Sequence, residues 1–142
     1  MRYADLLLMA AEAWNEAEET PNEKVYDYLD QVRERAGLEG IKETYAKYAS
    51  AQYKDYPSHK SQMRDIIHRE RQVELSCEGS YYWDTRRWKT AEKELNRIVQ
   101  GWNVLNGETA EDYYIPTNIY NQQFTLRDYF APIPEIGRAS CR

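Results

Sequence analysis

The chain has 142 residues, enough for one domain of ordinary size with a core of its own. Hydrophobic residues make up 42% and aromatic residues 13%, which excludes a disordered chain. The formal charge of −5, with basic residues interleaved among acids, argues against a nucleic-acid partner.

The first helical pattern begins at once. Tyr3, Leu6, Leu7, Ala10, Ala11 and Trp14 form an apolar stripe at helical spacing, widened by Leu8 and Met9. A helix so apolar wants neighbours on more than one side. No capping residue or leader precedes it, and no apolar run is long enough to span a bilayer. Taken literally, that places the chain in the cytosol. A pattern already under way at Tyr3 instead suggests that Met1 marks a boundary within a longer protein. Thr20-Pro21-Asn22 ends this helix and starts another, with Val25, Leu29 and Val32 on its stripe and Gly37 as its C-terminal cap. The two make a helical hairpin over residues 1–37, about the length of a tetratricopeptide unit. A single such unit cannot bury both faces. Ile41–Ala51 reads as a short helix, Gln52–Ser58 as a loop broken by Pro57, and Ser58 or Ser61 as the cap of the central helix.

The stretch Met63–Trp88 carries the most information. Met63, Ile66, Ile67, Val73, Leu75 and Cys77 recur near helical period, and Gly79 interrupts them. Glu70, Glu74 and Glu78 share one stripe, and Met63, Ile67, Glu70, Glu74 and Cys77 fall on one face. Some acids therefore point inward and need cations. Arg86 and Arg87, just past the glycine, are the local candidates. The reading is a helix, a break at Gly79 and a second helix over Tyr81–Asn96, with Trp83 and Trp88 packing the pair together. After Gly101 the periodicity is lost, and Gly, Pro, Asn and Thr become frequent. A loop-rich segment pinned by Tyr113, Tyr114, Ile115, Phe124, Tyr129 and Phe130 fits, with one short strand near Tyr113–Ile115. Trp102 and Asn103 are read as packing groups at the helix-to-loop junction. Pro132-Ile133-Pro134 is stiff and extended.

Little here carries reaction chemistry. Asp65 and His68 lie three apart on one helix face near Glu70 and Glu74, but His59, the other histidine, falls in a loop, so a metal site is not assigned. Glu70 and Glu74 share a helix with arginines beside them, which suits an ion-pair network better than a glycosidase pair. No nucleophile elbow, Ser/His/Asp order or phosphate loop is present. Cys77 and Cys141 show no zinc spacing; Cys77 reads as a small core residue, and nothing supports a disulfide between them. The 13 tyrosines exceed what a core needs, which leaves both packing between helices and a sugar- or partner-contacting surface open.

Five stretches taken together resemble the C-terminal half of the SusD/RagB family, the glycan-binding surface lipoproteins of Bacteroidetes. They are RYADLLLMAAEAWNE at Arg2–Glu16, LDQVRERAGL at Leu29–Leu38, RDIIHRERQVELSCEGSYYWDTRRW at Arg64–Trp88, GWNVLNGETAEDYY at Gly101–Tyr114 and RDYFAPIPEI at Arg127–Ile136. The expected fold is all-α: a tetratricopeptide-like hairpin (1–37), central helices (41–100) and a loop-rich aromatic tail (101–142), together one C-terminal fragment of a larger domain. Gly137–Arg142 departs from the family pattern and reads as a possible junction artefact. The resemblance implies non-catalytic capture of a glycan or oligosaccharide at the outer-membrane surface, delivery to a TonB-dependent transporter, and no cofactor. The family's remaining helical repeats would lie upstream, as would its lipid-anchoring cysteine, a role given to neither Cys77 nor Cys141. No residue is matched to a catalytic, metal, cofactor or ligand-binding role. The rival reading is a helical-repeat interaction module without sugar binding.

Overall fold

The computed structural model describes residues 2–105 and 108–130. Among them the fold is mostly helical with one two-stranded sheet, so the all-α expectation needs that correction. The chain divides after Tyr81 into two compact units.

In the first unit, α1 (Tyr3–Ala17) packs against α2 (Glu23–Arg35) and α4 (Lys60–Glu74), while α3 (Ile41–Tyr48) packs on α2. The core gathers Leu7, Leu8 and Ala11 of α1, Val25, Leu29 and Val32 of α2, Ile41 of α3, and Met63, Ile66 and Ile67 of α4. The buried face of α1 is Ala4, Leu7, Leu8, Ala11 and Asn15, rotated from the stripe the sequence suggests; Tyr3 and Leu6 stay exposed. An all-round apolar helix has no unique face, so tertiary contacts choose it.

The caps follow local chemistry. The Asn22 side chain accepts a hydrogen bond from the Val25 N–H at 3.3 Å and opens α2. Gly37, at φ +75°, closes α2 with the N–H of Gly37 bonded to the Glu34 carbonyl and that of Leu38 to the Arg33 carbonyl. The segment before α4 forms two short 3-10 turns, Ala51–Tyr53 and Tyr56–Ser58, rather than a loop, and Pro57 is buried. Neither Ser58 nor Ser61 caps α4; its N-cap is His59, without a side-chain bond. Tyr26 Oη donates to the Pro57 carbonyl at 2.7 Å, which holds that segment on α2.

α4 ends at Glu74, before Cys77, and Gly79 sits at φ +77°. The break at the glycine is as expected, but Cys77 is exposed in the turn at φ +65°, and Val73 is exposed too. Cys77 is therefore not a core residue: the helical register it was read in stops three residues earlier.

The division between units falls inside α5 (Ser80–Arg87). In the second unit, α5 closes with the N–H of Lys89 bonded to the Arg86 carbonyl and that of Thr90 to the Thr85 carbonyl. This is the same capping geometry as at Gly37, with Lys89 at φ +57° in the glycine position. A non-glycine residue there costs roughly 1 kcal/mol. α6 (Ala91–Leu95) leads to β1 (Arg97–Trp102), which pairs antiparallel with β2 (Pro116–Gln122) through a register shift at Val99/Gln100. The strand expected near Tyr113–Ile115 begins instead at Pro116, and Ala110–Tyr113 forms one helical turn, α7, opened by Thr109. Asn96 clamps the hairpin's base: it donates to the Phe124 carbonyl at 3.0 Å and accepts from the Phe124 N–H at 2.6 Å. Phe124 is buried edge-on to Tyr129. A final 3-10 turn, Leu126–Tyr129, is opened by a Thr125–Asp128 capping box. Pro132–Pro134 and Cys141 lie outside the described residues.

The inward-facing acids are paired, but not by Arg86 and Arg87. Arg33 Nη1 reaches Glu70 Oε1 at 2.5 Å, while its Nε donates to the Glu39 carbonyl and its Nη2 to Thr44 Oγ1, each at 2.9 Å. Glu74 Oε1 accepts from Arg35 at 2.5 Å and from Arg2 at 3.0 Å, and Arg2 also pairs with Glu78. Arg71, buried, holds Asp5 of α1 at 3.0 Å. Arg86 lies over the Tyr82 ring, 3.4 Å from its centroid, and Arg87 pairs with Asp84 at 2.8 Å. At the far end of α1, Arg64 Nε and Nη2 each donate to Glu16 at 2.6 Å. These bonds hold the Glu16 carboxyl below the usual glutamate range; desolvation opposes them, and the Coulomb attraction of Arg64 adds a lesser lowering.

Three outcomes are expected. Arg33→Ala removes the cation from the mostly buried Glu70 carboxylate, along with its bonds to Glu39 and Thr44, and should cost about 2–4 kcal/mol, seen as a lower urea midpoint at unchanged slope; an unchanged midpoint would remove Arg33 from that role. Glu74→Ala should lower Tm more than Glu23→Ala, because Glu74 is 13% exposed between two arginines while Glu23 is 88% exposed with Lys42 alone; equal Tm values would count against the network. The folded pKa of Glu16 is depressed, so its contribution is present above the unfolded value of about 4.3 and fades as pH falls through the folded one. The Tm gap between the native chain and Glu16→Gln should therefore close on acidification below about pH 4; a gap that widens there contradicts the assignment.

Candidate functional site

Residues with any claim to chemistry are largely taken up in structure. His68 faces Glu12 across α4 and α1, Nε2 to Oε1 3.7 Å, and Asp65 is exposed. Glu70 is held by Arg33 and Glu74 by Arg2 and Arg35, and His59 is the N-cap of α4. Among the described residues no group of three histidine, cysteine, aspartate or glutamate side chains is placed to hold a metal ion.

The aromatic residues behave differently from the expectation of packing. Trp88 is half-buried, but Trp83 is 68% exposed, edge-on to Tyr82 at 5.0 Å between centroids. Trp102 is 51% exposed and stands edge-on to Tyr114 at 5.5 Å, which in turn meets Tyr113 at 5.2 Å. A large half-exposed indole at a strand end offers a flat apolar face to solvent.

The hairpin builds polar groups around that face. Gly101 leaves room for Ile119 to lie across its backbone; a side chain at Gly101 would collide with it. The Asn103 N–H donates to the Tyr113 carbonyl at 3.1 Å, drawing α7 alongside the end of β1. Gln100 Nε2 donates to Asn118 Oδ1 at 2.9 Å, which uses the oxygen of that amide and leaves its nitrogen as a donor. Asn103 Nδ2 donates to the Asp112 carbonyl at 3.4 Å, leaving its own carbonyl as an acceptor. Trp102, Asn103, Thr117, Asn118 and Ile119 line one cleft of about 390 Å³. A ring face flanked by an amide donor and an amide acceptor suits a ligand that is apolar on one side and hydroxylated at its edge.

Of this group Trp102, Asn103 and Tyr114 drew notice in the sequence, the first two as packing residues and Tyr114 as an aromatic anchor of the tail. Thr117 and Asn118 were missed. The available signal was RIVQGW followed by PTNIYNQ, each rich in β-branched residues and separated by turn-forming Asn, Gly and Thr.

The sequence profile of the SusD family matches residues 1–136. SusD-like protein P2 of Formosa agariphila is 34% identical over 120 residues, 82% of this chain and 21% of that protein. SusD-like protein P38 of the same organism is 32% identical over 111 residues, 78% of this chain and 19% of that protein. The chain thus spans about a fifth of the length of these curated relatives. A profile match running through both structural units, with two relatives above 30% identity, establishes the kinship: the chain belongs to the SusD/RagB family.

Proposed function

We propose that this chain is the C-terminal part of a larger surface-exposed outer-membrane lipoprotein that captures glycan without transforming it. The captured ligand then passes to a TonB-dependent transporter. The observation that carries the binding reading is the half-exposed Trp102 with Tyr114, Asn103 and Asn118 grouped about it. Stacking on Trp102 would supply affinity, and the two amides would select hydroxyl positions. Family membership and the small share of each relative's length support the wider assignment.

The first unit serves as scaffold in this reading. α1 and α2 form a tetratricopeptide-like hairpin whose open side, with exposed Tyr3 and Leu6, stacks on further helices of the whole protein. Among the described residues no helix is long and apolar enough to cross a membrane. Kinship with the SusD/RagB family is what supports assigning attachment to a lipid anchor elsewhere in the protein.

Isothermal titration of the intact protein against malto-, cello- and xylo-oligosaccharides tests the reading. A saccharide should bind, and Trp102→Ala should weaken it by roughly tenfold or more while leaving Tm unchanged. Binding that is indifferent to Trp102→Ala moves the site elsewhere. No binding to any saccharide, with a protein partner captured instead, favours the interaction-module alternative.

A further inference from the structure

We infer that the second unit holds a further subsite, distinct from the Trp102 surface, which takes the negatively charged group of an acidic saccharide. The inference rests on the glycan-binding reading and narrows its substrate class. A cleft of about 650 Å³ opens beside the end of α5, lined by Arg86, Arg87, Lys89, Glu92, Tyr129 and Phe130. It pairs aromatic walls with cations, the combination that recognises a ring bearing an anionic substituent.

The cations differ in how they are held. Arg86 is fixed flat: its guanidinium lies 3.4 Å from the Tyr82 centroid and 5.0 Å from that of Phe124, and Nη1 donates to the Tyr82 carbonyl at 3.0 Å. That leaves further N–H groups on a pre-oriented fork. Arg87 is committed to Asp84, beside the Trp88 ring. Lys89 forms no ion pair among the described residues. Nearby acids are partly occupied. Asp84 serves Arg87, and Asp128 accepts from the N–H and Oγ1 of Thr125 at 2.7 and 2.8 Å. Glu92 is the one carboxylate among the lining residues, which also include Arg86, Arg87 and Lys89.

The backbone supplies the second argument. Lys89 occupies a left-handed position at φ +57° where the helix end would be served better by glycine. The strain brings no hydrogen bond that glycine could not make, since both capping bonds use backbone N–H groups. What lysine adds there is an ammonium group on the cleft.

The same backbone fact yields a variant that keeps the fold. Lys89→Gly relieves the left-handed strain and removes the cation; Glu92→Gln removes the opposing charge. Titrations of the intact protein would compare acidic oligosaccharides (oligogalacturonates, oligoguluronates and chondroitin sulfate oligomers) with the neutral series. The expected result is that an acidic member binds, more weakly as salt is raised. Lys89→Gly should weaken that binding by on the order of tenfold without lowering Tm, Glu92→Gln should tighten it, and neutral ligands should respond to neither. Acidic binding unmoved by both variants overturns the subsite and leaves the glycan reading standing, as does binding by neutral saccharides alone. Binding by neither series overturns both.

Discussion

One guanidinium decides how the helices of the first unit meet. Arg33 is buried at the end of α2 and divides its donors among the Glu39 carbonyl, the Thr44 hydroxyl and the Glu70 carboxylate. Those acceptors belong to the α2–α3 connection, to α3 and to α4. A planar fork satisfies them only when the three segments stand in one arrangement. Apolar burial around Leu8, Leu29 and Ile67 supplies the larger driving force, but it is non-directional and tolerates sliding. Asp30 adds a second polar pin by accepting from the Ile41 N–H at 2.8 Å, and its carboxylate crowds the space a side chain on Gly40 would need. The glycine, the aspartate and the arginine together set where α3 starts.

The parts of this fold that were legible beforehand share a cause: they are local. Asn22 and Gly37 announce the ends of α2 by their own backbone chemistry, and Gly79 announces the break after α4. The apolar period of Val25, Leu29 and Val32 shows its face without ambiguity because polar residues surround it. The pairing of the acids was half legible. Glu70 and Glu74 in a largely apolar stripe had to find cations, and arginines answer them. Which arginines do so depends on how α2 and the start of α1 pack on α4, a contact across 37 residues for Arg33 and Glu70. Nearness in sequence pointed to Arg86 and Arg87 and gave the wrong partners.

The hairpin was hidden for a different reason. Its strands show every outward face wet, so the alternation of apolar and polar residues that betrays a half-buried strand is missing. Ile98, Val99, Ile119 and Tyr120 are exposed on it. A lone pair of strands is marginal in water, and here its base is tied by Asn96 and the buried Phe124. This also reallocates the aromatic residues. Tyr26 packs in the core, whereas Trp83, Trp102 and Tyr114 are spent on the surface. Composition alone could not separate these uses, because tyrosine and tryptophan suit both.

Two helix ends in this chain share one backbone geometry, and the residue that differs between them lines the proposed subsite. At α2 the left-handed position carries Gly37, where a side chain would meet nothing, so glycine there is a matter of backbone freedom alone. At α5 the equivalent position carries Lys89. The capping bonds are of the same kind in both, so the requirements of the helix end cannot account for lysine. Cys77 shares the left-handed conformation, but it sits in the exposed turn before Gly79 and lines neither the Trp102 cleft nor the Lys89 cleft, so strain alone does not mark a site. At Lys89 the strain coincides with a large concavity, a stacked arginine and two aromatic walls. The coincidence, rather than any one feature, separates this helix end from the other.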